Sequence, residues 1–349
     1  MANKTKKVTS IVEVAKRAGV SVATVSRVLN DSSLVKPETK EQIRKVADQL
    51  GYALPVCRPG PKPGRPVRKK KIAFLGFVDG NHYPAGGEMQ STFLALQRGV
   101  EEAGEEYGLS IKLHLIATEA ALSETIENGD FFGFILQGWK PHSSVKNFLK
   151  TKPCCWVMNN SWTPDWGDHI MPDHREVGMM AAEYLIHHGC RKPVSIWLGC
   201  PDRISTLRKE GFLYAAGKQG VESRLVFAES SSSDVRVAYP AAVYVNEIVE
   251  RLHQADFPAD GIFFDSDYSM AALYPVMVRE KIIIPGKTVL ISCNNQQPFL
   301  KGIKPHPATM DVHFEQIGRI GVSQLVWRMK NPDCQRVRSL ISPSLISLS

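Results

Sequence analysis

Residues 10–30 read SIVEVAKRAGVSVATVSRVLN, and the apolar positions of this stretch recur with a helical period. In the first half, one face of a short helix carries the residues at i, i+3, i+4 and i+7, namely Ile11, Val14, Ala15 and Ala18. In the second half, Val25, Val28 and Leu29 again share one face. The pattern therefore predicts two short helices in close succession.

The residues between these helices are typical of a sharp turn. Gly19 accepts the left-handed backbone that ends many helices, and Ser21 is placed to cap the second helix with its hydroxyl. A third helix is predicted from Pro37, which suits a first helical position, to Gly51. Two helices joined by so tight a turn indicate a helix-turn-helix, with the third helix completing a small core.

In a helix-turn-helix, the second helix lies in the DNA major groove. Three residues outside its apolar face are therefore candidates for reading base edges: Val22, Ala23 and Arg27. Arg27 can grip guanine O6 and N7 with two hydrogen bonds, whereas an apolar side chain senses only shape or a thymine methyl. Small hydroxyl side chains suit phosphates, and the candidates are Thr9, Ser21, Thr24 and Ser26. The alternative interpretation is a three-helix module that docks onto a protein.

The charge distribution favours nucleic acid as the partner. Residues 1–71 contain 17 Lys and Arg against 5 Asp and Glu, whereas the rest of the chain contains 26 against 30. A basic module attached to a mildly acidic body is typical of DNA-binding proteins, although a solvated basic tail would give the same count.

Residues 10–30, followed by Leu50-Gly51-Tyr52, resemble the headpiece of the LacI (lac repressor, GalR) family. This resemblance implies a transcription regulator, most often a repressor, that binds a palindromic double-stranded DNA operator as a homodimer. It also implies a two-lobed core, like that of periplasmic binding proteins, in which a small-molecule effector such as a sugar binds. The division predicted on this basis is a DNA-binding domain over 1–52, a linker over 53–71 and a core over 72–349.

The linker departs from the family pattern. Residues 53–71 read ALPVCRPGPKPGRPVRKKK and contain five prolines. Prolines at this density oppose a helix, so the hinge helix that the resemblance implies is not expected. The segment around Arg65 is similar to an AT-hook, whose arginine enters a narrow A·T-rich minor groove. Two interpretations stay open: an arm that reads the minor groove through Arg65, or a stiff basic tether that touches phosphates.

Beyond the linker, short apolar runs alternate with helical patterns, as in a doubly wound parallel α/β protein. Eight strands are predicted: 72–77, 111–116, 133–136, 154–158, 194–198, 225–228, 261–264 and 289–293. Helices are predicted between them, near 91–107, 120–128, 142–150, 175–188, 206–219, 237–253 and 268–280. The two series predict two lobes, with a ligand site at the carboxyl ends of the strands, between the lobes.

The resemblance also names effector-binding positions. Arg208, in Arg208-Lys-Glu-Gly-Phe212, matches the arginine that binds ligand hydroxyls or carboxylates in the family; a salt bridge at a helix start is the structural alternative. Ser266, Asn294 and Phe314 match other pocket positions, and Tyr83 is a candidate for the opposite wall. Asn294 stands where most members have Asp, which removes a charged acceptor for sugar hydroxyls.

Several classes of function are not indicated. The chain has no phosphate-binding glycine loop, catalytic motif or metal-ligand spacing, so no enzyme activity, cofactor or metal is expected. Its seven scattered cysteines predict reduced thiols, and Cys154-Cys155 predicts packing in a buried strand rather than redox chemistry. Without a signal region or a membrane-spanning run, a cytoplasmic protein is expected. The main alternative is a solute receptor of periplasmic type.

Overall fold

The computed structural model describes residues 10–29, 35–50, 52, 69–78, 88–117, 120, 122–158, 164–198, 203–227, 241–254 and 257–347. The chain divides between residues 68 and 69 into two compact units. Within the described ranges, no helix is both long enough and apolar enough to cross a membrane.

The described residues of the first unit form three helices, α1 (Ile11–Ala18), α2 (Val22–Leu29) and α3 (Pro37–Gln49). Gly19 ends α1 with a left-handed backbone at φ 67°, which confirms the predicted turn. The apolar faces of the three helices enclose one small core, made of Val14, Ala15, Ala18, Val25, Val28, Ile43 and Ala47. Through this core, one side of α2 packs against α1 and α3.

The second unit alternates strands and helices. Its helices are α4 (Glu88–Glu106), α5 (Glu124–Glu127), α6 (Ser143–Leu149), α7 (His174–His187), α8 (Arg203–Lys218), α9 (Ala241–Gln254), α10 (Asp267–Arg279), α11 (Gln297–Leu300) and α12 (Phe314–Lys330). Its strands are β1 (Lys70–Val78), β2 (Leu109–Ala117), β3 (Phe131–Gly138), β4 (Cys154–Val157), β5 (Asp168–Pro172), β6 (Pro193–Trp197), β7 (Arg224–Phe227), β8 (Gly261–Phe264), β9 (Val289–Cys293), β10 (Ala308–Asp311), β11 (Arg338–Ile341) and β12 (Ser344–Ile346).

These strands form two six-stranded sheets, each the centre of one lobe. The first lobe has the order β11-β5-β4-β3-β1-β2, and the second has β12-β10-β9-β8-β6-β7. All pairings are parallel except that of β12 with β10, which is antiparallel. The fold is therefore the expected two-lobed α/β architecture with parallel-dominated sheets.

The chain passes between the lobes three times, and the crossings place residues from distant parts of the sequence side by side. After β5 it enters the second lobe at α7, after β10 it returns to the first lobe with α12, and after β11 it ends in β12 of the second lobe. The first two crossings leave from the carboxyl ends of β5 and β10. Ligand sites of α/β proteins lie at such strand ends.

A buried ion pair fixes α12 to the first sheet. The Asp168 carboxylate at the start of β5 is 1% exposed and accepts hydrogen bonds from Arg328 Nη2 at 2.7 Å and Nε at 3.0 Å. Gln324 Nε2, on the same helix, donates to it at 2.8 Å, and the backbone N–H of Val337 donates at 2.9 Å. Burial raises the pKa of Asp168, but these hydrogen bonds outweigh it and leave that pKa below 3.8.

All eight predicted strands are present, with small shifts at their ends. β1 begins at Lys70 because it pairs with β2 from there on, so the last two residues assigned to the linker lie in a strand. Cys154 and Cys155 are buried in β4 as predicted, and burial, together with the nearby Asp168, raises the pKa of both thiols. Thiols in this state are poor nucleophiles.

Candidate DNA-binding unit and effector site

Helix α2 presents one face to the core of the first unit and the other to solvent. Val25 and Val28 are buried, whereas Val22, Ala23 and Arg27 are exposed. The three predicted base readers are therefore on the free side of the helix, in its first two turns. An exposed helix face that carries one arginine among small residues has the shape that a major groove admits.

The start of α2 is fixed by a local hydrogen bond. The Ser21 hydroxyl oxygen accepts the backbone N–H of Thr24 at 3.1 Å and lies 2.8 Å from the Thr24 hydroxyl, which confirms the predicted cap. Ser26 is partly exposed on the next turn. Thr9 and Arg65, the other predicted DNA contacts, lie outside the described residues.

In the second unit, Arg208 on α8 is the centre of a buried polar cluster. Its side chain is 5% exposed. Nε donates to His174 Nδ1 at 3.3 Å, Nη2 donates to Asn294 Oδ1 at 3.3 Å, and Nη1 donates to the backbone carbonyl of Asp265. His174 begins α7 after the first crossing, Asp265 follows β8 and Asn294 follows β9. The cluster thus lies at the carboxyl ends of strands.

Two glycines bring α7 and α8 close enough for this cluster to form. A Cβ on Gly178 of α7 would collide with the backbone carbonyl of Arg208, and a Cβ on Gly211 of α8 would collide with that of Arg175. The two helices therefore pack backbone against backbone. This close packing sets the position of Arg208 relative to His174.

The His174 imidazole is uncharged in this setting. Burial, followed by the positive charges of Arg208 and Arg203, holds its pKa well below 6.5. A neutral imidazole can offer Nδ1 as a hydrogen-bond acceptor, which is the role it has toward Arg208.

Asp267, at the start of α10, lies beside this cluster in a fully buried position. Its carboxylate accepts hydrogen bonds from Thr309 Oγ1 at 2.7 Å, from the Ser292 hydroxyl and from the backbone N–H of Gln296. Burial raises its pKa to about 6, and these three donors and the charge of Arg208 only partly offset that effect. Asp267 thereby connects α10 to β9 and β10.

Gln296 carries the connection onward to the first lobe. Its side-chain amide donates to the Ser91 hydroxyl and, at 3.4 Å, to the Thr92 hydroxyl, and both residues belong to α4. Its backbone N–H is the one bound to Asp267. A chain of hydrogen bonds therefore runs from the buried carboxylate of the second lobe to a helix of the first.

The other predicted effector residues have different surroundings. Ser266 caps α10, because its hydroxyl accepts the backbone N–H of Ser269 at 3.1 Å. Phe314 begins α12, is 7% exposed and packs into the main apolar core. Tyr83 is outside the described residues. The structure therefore brings Arg208, Asn294 and the Asp265-Ser266 segment together.

Sequence reasoning missed His174, Asp267 and Gln296. A signal for Asp267 was available, since it directly follows Ser266, a predicted pocket residue. Gln296 had no such signal, because its partners are 205 and 204 positions earlier in the chain.

Metal-binding groups and other grooves were also compared with the position of the Arg208 cluster. Within the described part of the chain, no group of three or more His, Cys, Asp or Glu is placed to hold a metal ion. A groove elsewhere on the second lobe is lined mainly by Met180, Tyr184, His187, His188, Gln219 and Leu345. It shares no residue with the Arg208 cluster.

Comparison with protein families matches both units. The family "Bacterial regulatory proteins, lacI family" matches residues 10–54, which include all three helices of the first unit. The "Periplasmic binding protein-like domain" matches residues 182–347 of the second. Residues 10–54 therefore form a helix-turn-helix domain of the lacI family, and residues 182–347 belong to a periplasmic binding protein-like domain.

Two curated relatives match nearly the whole chain. It is 23% identical over 335 residues to the probable HTH-type transcriptional repressor ExuR of Bacillus subtilis (strain 168), covering 95% of both chains. It is 20% identical over 340 residues to the ribose operon repressor of Escherichia coli (strain K12), covering 96% of this chain and 97% of that one. The solved structure of the lac repressor dimer bound to operator and the anti-inducer ONPF has a TM-score of 0.59 at 14% identity, over 98% of both chains.

Proposed function

We propose that this chain is a LacI-family transcriptional repressor that binds a palindromic operator as a homodimer. Its affinity for the operator is set by a small molecule, a sugar or a related metabolite, bound at the Arg208 cluster. The observation that carries the proposal is the exposed face of α2, with Val22, Ala23 and Arg27, on a unit whose opposite side is a closed core. We propose no catalytic activity and place its action in the cytoplasm, with the DNA.

The dimer follows from the way helix-turn-helix units read DNA. Two such units related by a twofold axis contact two half-sites about one helical turn apart, which requires a palindromic site. The relation to a repressor solved as a dimer on its operator supports the same assembly. Arg27 then reads a base in each half-site, and Ser21, Thr24, Ser26 and Thr9 contact phosphates.

The effector arm rests on the position of the Arg208 cluster. Its members come from the ends of β8 and β9 and from the segment after the first lobe crossing. Nearby, Gln296 is bonded to α4 of the first lobe. A ligand that displaces or strengthens these bonds changes the relative energy of lobe arrangements, which is the requirement for coupling two sites. The ribose operon repressor supports a sugar as the class of effector.

The proposal is tested by selecting duplexes from a random library with the full-length protein and measuring its affinity for the selected sequence. The expected result is a palindromic consensus whose affinity changes when sugars or their derivatives are added. Arg208→Lys is expected to abolish the response to the effector while the protein still selects the same DNA sequence. A chain that selects no sequence is a solute receptor without a DNA-binding role, which is the alternative function.

For the linker, we propose that Arg65 enters the minor groove between the half-sites. Arg65→Ala is then expected to weaken binding to a site with an A·T-rich centre far more than to one with a G·C-rich centre, because narrow A·T grooves attract arginine. An equal loss on both sites would leave the linker as a basic tether.

A further inference from the structure

The Arg208 guanidinium is a buried cation whose hydrogen-bond partners are all uncharged. The three acceptors are the imidazole of His174, the backbone carbonyl of Asp265 and the amide oxygen of Asn294. Among the described residues, no carboxylate lies within ion-pair distance of Arg208. Holding a charge in a buried position without a counter-ion is costly, and such charges normally have one.

The surrounding charges do not supply that counter-ion. Asp267 interacts with Arg208 only at a distance, since its carboxylate is occupied by Ser292, Gln296 and Thr309. Arg203, exposed at the start of α8, adds a second positive charge near His174. The imidazole itself is neutral. Asp265 also carries a carboxylate, but it binds Arg208 through its backbone carbonyl and forms no ion pair with it. Arg208 therefore has no ion-pair partner among the described residues.

The guanidinium also has donors to spare. Arginine carries five N–H groups, and three of them are used by these acceptors, one on each nitrogen. One N–H therefore remains on Nη1 and one on Nη2. A carboxylate has two oxygens that can accept hydrogen bonds from such donors.

We infer that the effector carries a carboxylate that pairs with Arg208, so that the ligand is a sugar acid and not a neutral sugar. This inference rests on the proposed function, because it assigns the charge of the effector bound at the same cluster. The acid group of such a ligand supplies the negative charge that Arg208 lacks, and its hydroxyl groups can form hydrogen bonds with the other polar groups of the cluster. Asn294 is essential to this preference, because a carboxylate in its place would neutralise Arg208 from within the protein.

The test is calorimetric titration of the full-length protein with matched ligands: glucose with glucuronate and gluconate, galactose with galacturonate, and glucose 6-phosphate. At least one acid is expected to bind about tenfold to a hundredfold more tightly than its neutral parent, the range expected for a charge-assisted contact. The preference is expected to shrink by at least about tenfold in Asn294→Asp, which has nearly the same size. Arg175→Gln, which removes an exposed arginine paired with Glu210, is the matched control and is expected to keep the preference.

Several results would overturn the inference. Equal or tighter binding of a neutral parent, binding of the phosphate ester alone, or a preference for acids that survives in Asn294→Asp would each do so. If neutral sugars bind and alter DNA affinity, the inference fails and the proposed function stands. If no ligand of the panel binds, the inference fails. If, in addition, none of them changes the affinity for DNA, the proposed regulation by a small molecule fails with it. Unchanged melting temperatures of the ligand-free variants establish that they are folded. If Asn294→Asp does not fold, the affinities of the wild type for the acids and for their neutral parents decide whether the inference holds.

Discussion

The side-chain amide of Gln296, in the second lobe, donates a hydrogen bond to the hydroxyl of Ser91 on α4 of the first lobe. The backbone of the same residue is bound to Asp267, which is buried beside the Arg208 cluster. One residue therefore connects the candidate effector site to the opposite lobe. Its contribution can be measured independently of any ligand.

Gln296→Ala is expected to lower the free energy of unfolding by about 1 kcal/mol, the usual value for a hydrogen bond between neutral groups. Urea denaturation measures the change. The effect should not add to that of Ser91→Ala, because the two variants remove the same contact. Gln297→Ala is the control, since that side chain is exposed and bonds only to the nearby Asn295. Full additivity of Gln296→Ala and Ser91→Ala would contradict a direct contact between the lobes.

Breaking the Asp168 and Arg328 ion pair is expected to be far more damaging. Arg328→Met leaves a carboxylate that is 1% exposed without its counter-ion, which costs on the order of 3 kcal/mol. The exposed pair of Arg175 and Glu210 provides the comparison, and Arg175→Gln should change the stability by less than about 1 kcal/mol. Denaturant midpoints of the two variants check this prediction, and similar losses in both would show that burial does not matter here.

Asp267 predicts a specific pH dependence of stability. Burial raises its pKa from 3.8 to about 6, so between those values the folded protein binds more protons at this residue than the unfolded chain does. The free energy of unfolding therefore falls as the pH rises through this window. Asn at position 267 cannot titrate. The free energy of unfolding of Asp267→Asn, relative to that of the wild type, should therefore rise by up to about 3 kcal/mol between pH 4 and about pH 7. Parallel pH profiles of the two proteins would contradict the raised pKa.

Arg27→Ala is expected to weaken binding to the selected operator by about 1–3 kcal/mol per half-site, because a guanidinium contact to guanine is lost. Binding to unrelated DNA should change much less, so the ratio of specific to nonspecific affinity falls. Lys45→Ala on α3, an exposed residue paired with Glu41, should leave that ratio unchanged. Fluorescence anisotropy with the two duplexes measures it, and an unchanged ratio for Arg27→Ala would remove Arg27 as a base reader.

Local physics made the first unit readable from the sequence. The left-handed turn at Gly19, the Ser21 cap and the apolar face of α2 depend on neighbours within a few positions. Six of the eight strands predicted in the core, β1, β3, β4, β6, β8 and β9, are apolar runs that are largely buried on both faces, whereas the edge strands β2 and β7 are only partly buried. Strand β5 was not predicted, because it begins with two polar residues, Asp168 and His169. They are buried only because Arg328 and the carbonyl of Trp166 pair with them.

The candidate site could be predicted only in part, because its contacts join residues that are far apart in the sequence. Arg208 and Asn294 could be named from the family pattern, but their contact joins residues 86 positions apart. The three lobe crossings that create such contacts leave no periodic pattern in the sequence. Ser266 was named for the ligand, and the structure gives its hydroxyl to the start of α10, because a buried helix end needs a capping oxygen.

DNA binding and the response to the effector can be measured together in one titration. Full-length protein is titrated onto its selected palindromic duplex by fluorescence anisotropy, with and without the tightest ligand of the panel, for the wild type and for Arg208→Lys. We expect sequence-dependent binding by a dimer, with an affinity that the ligand shifts in the wild type and not in the variant. Binding that is indifferent to DNA sequence, or a ligand response that is equal in both proteins, would contradict this expectation.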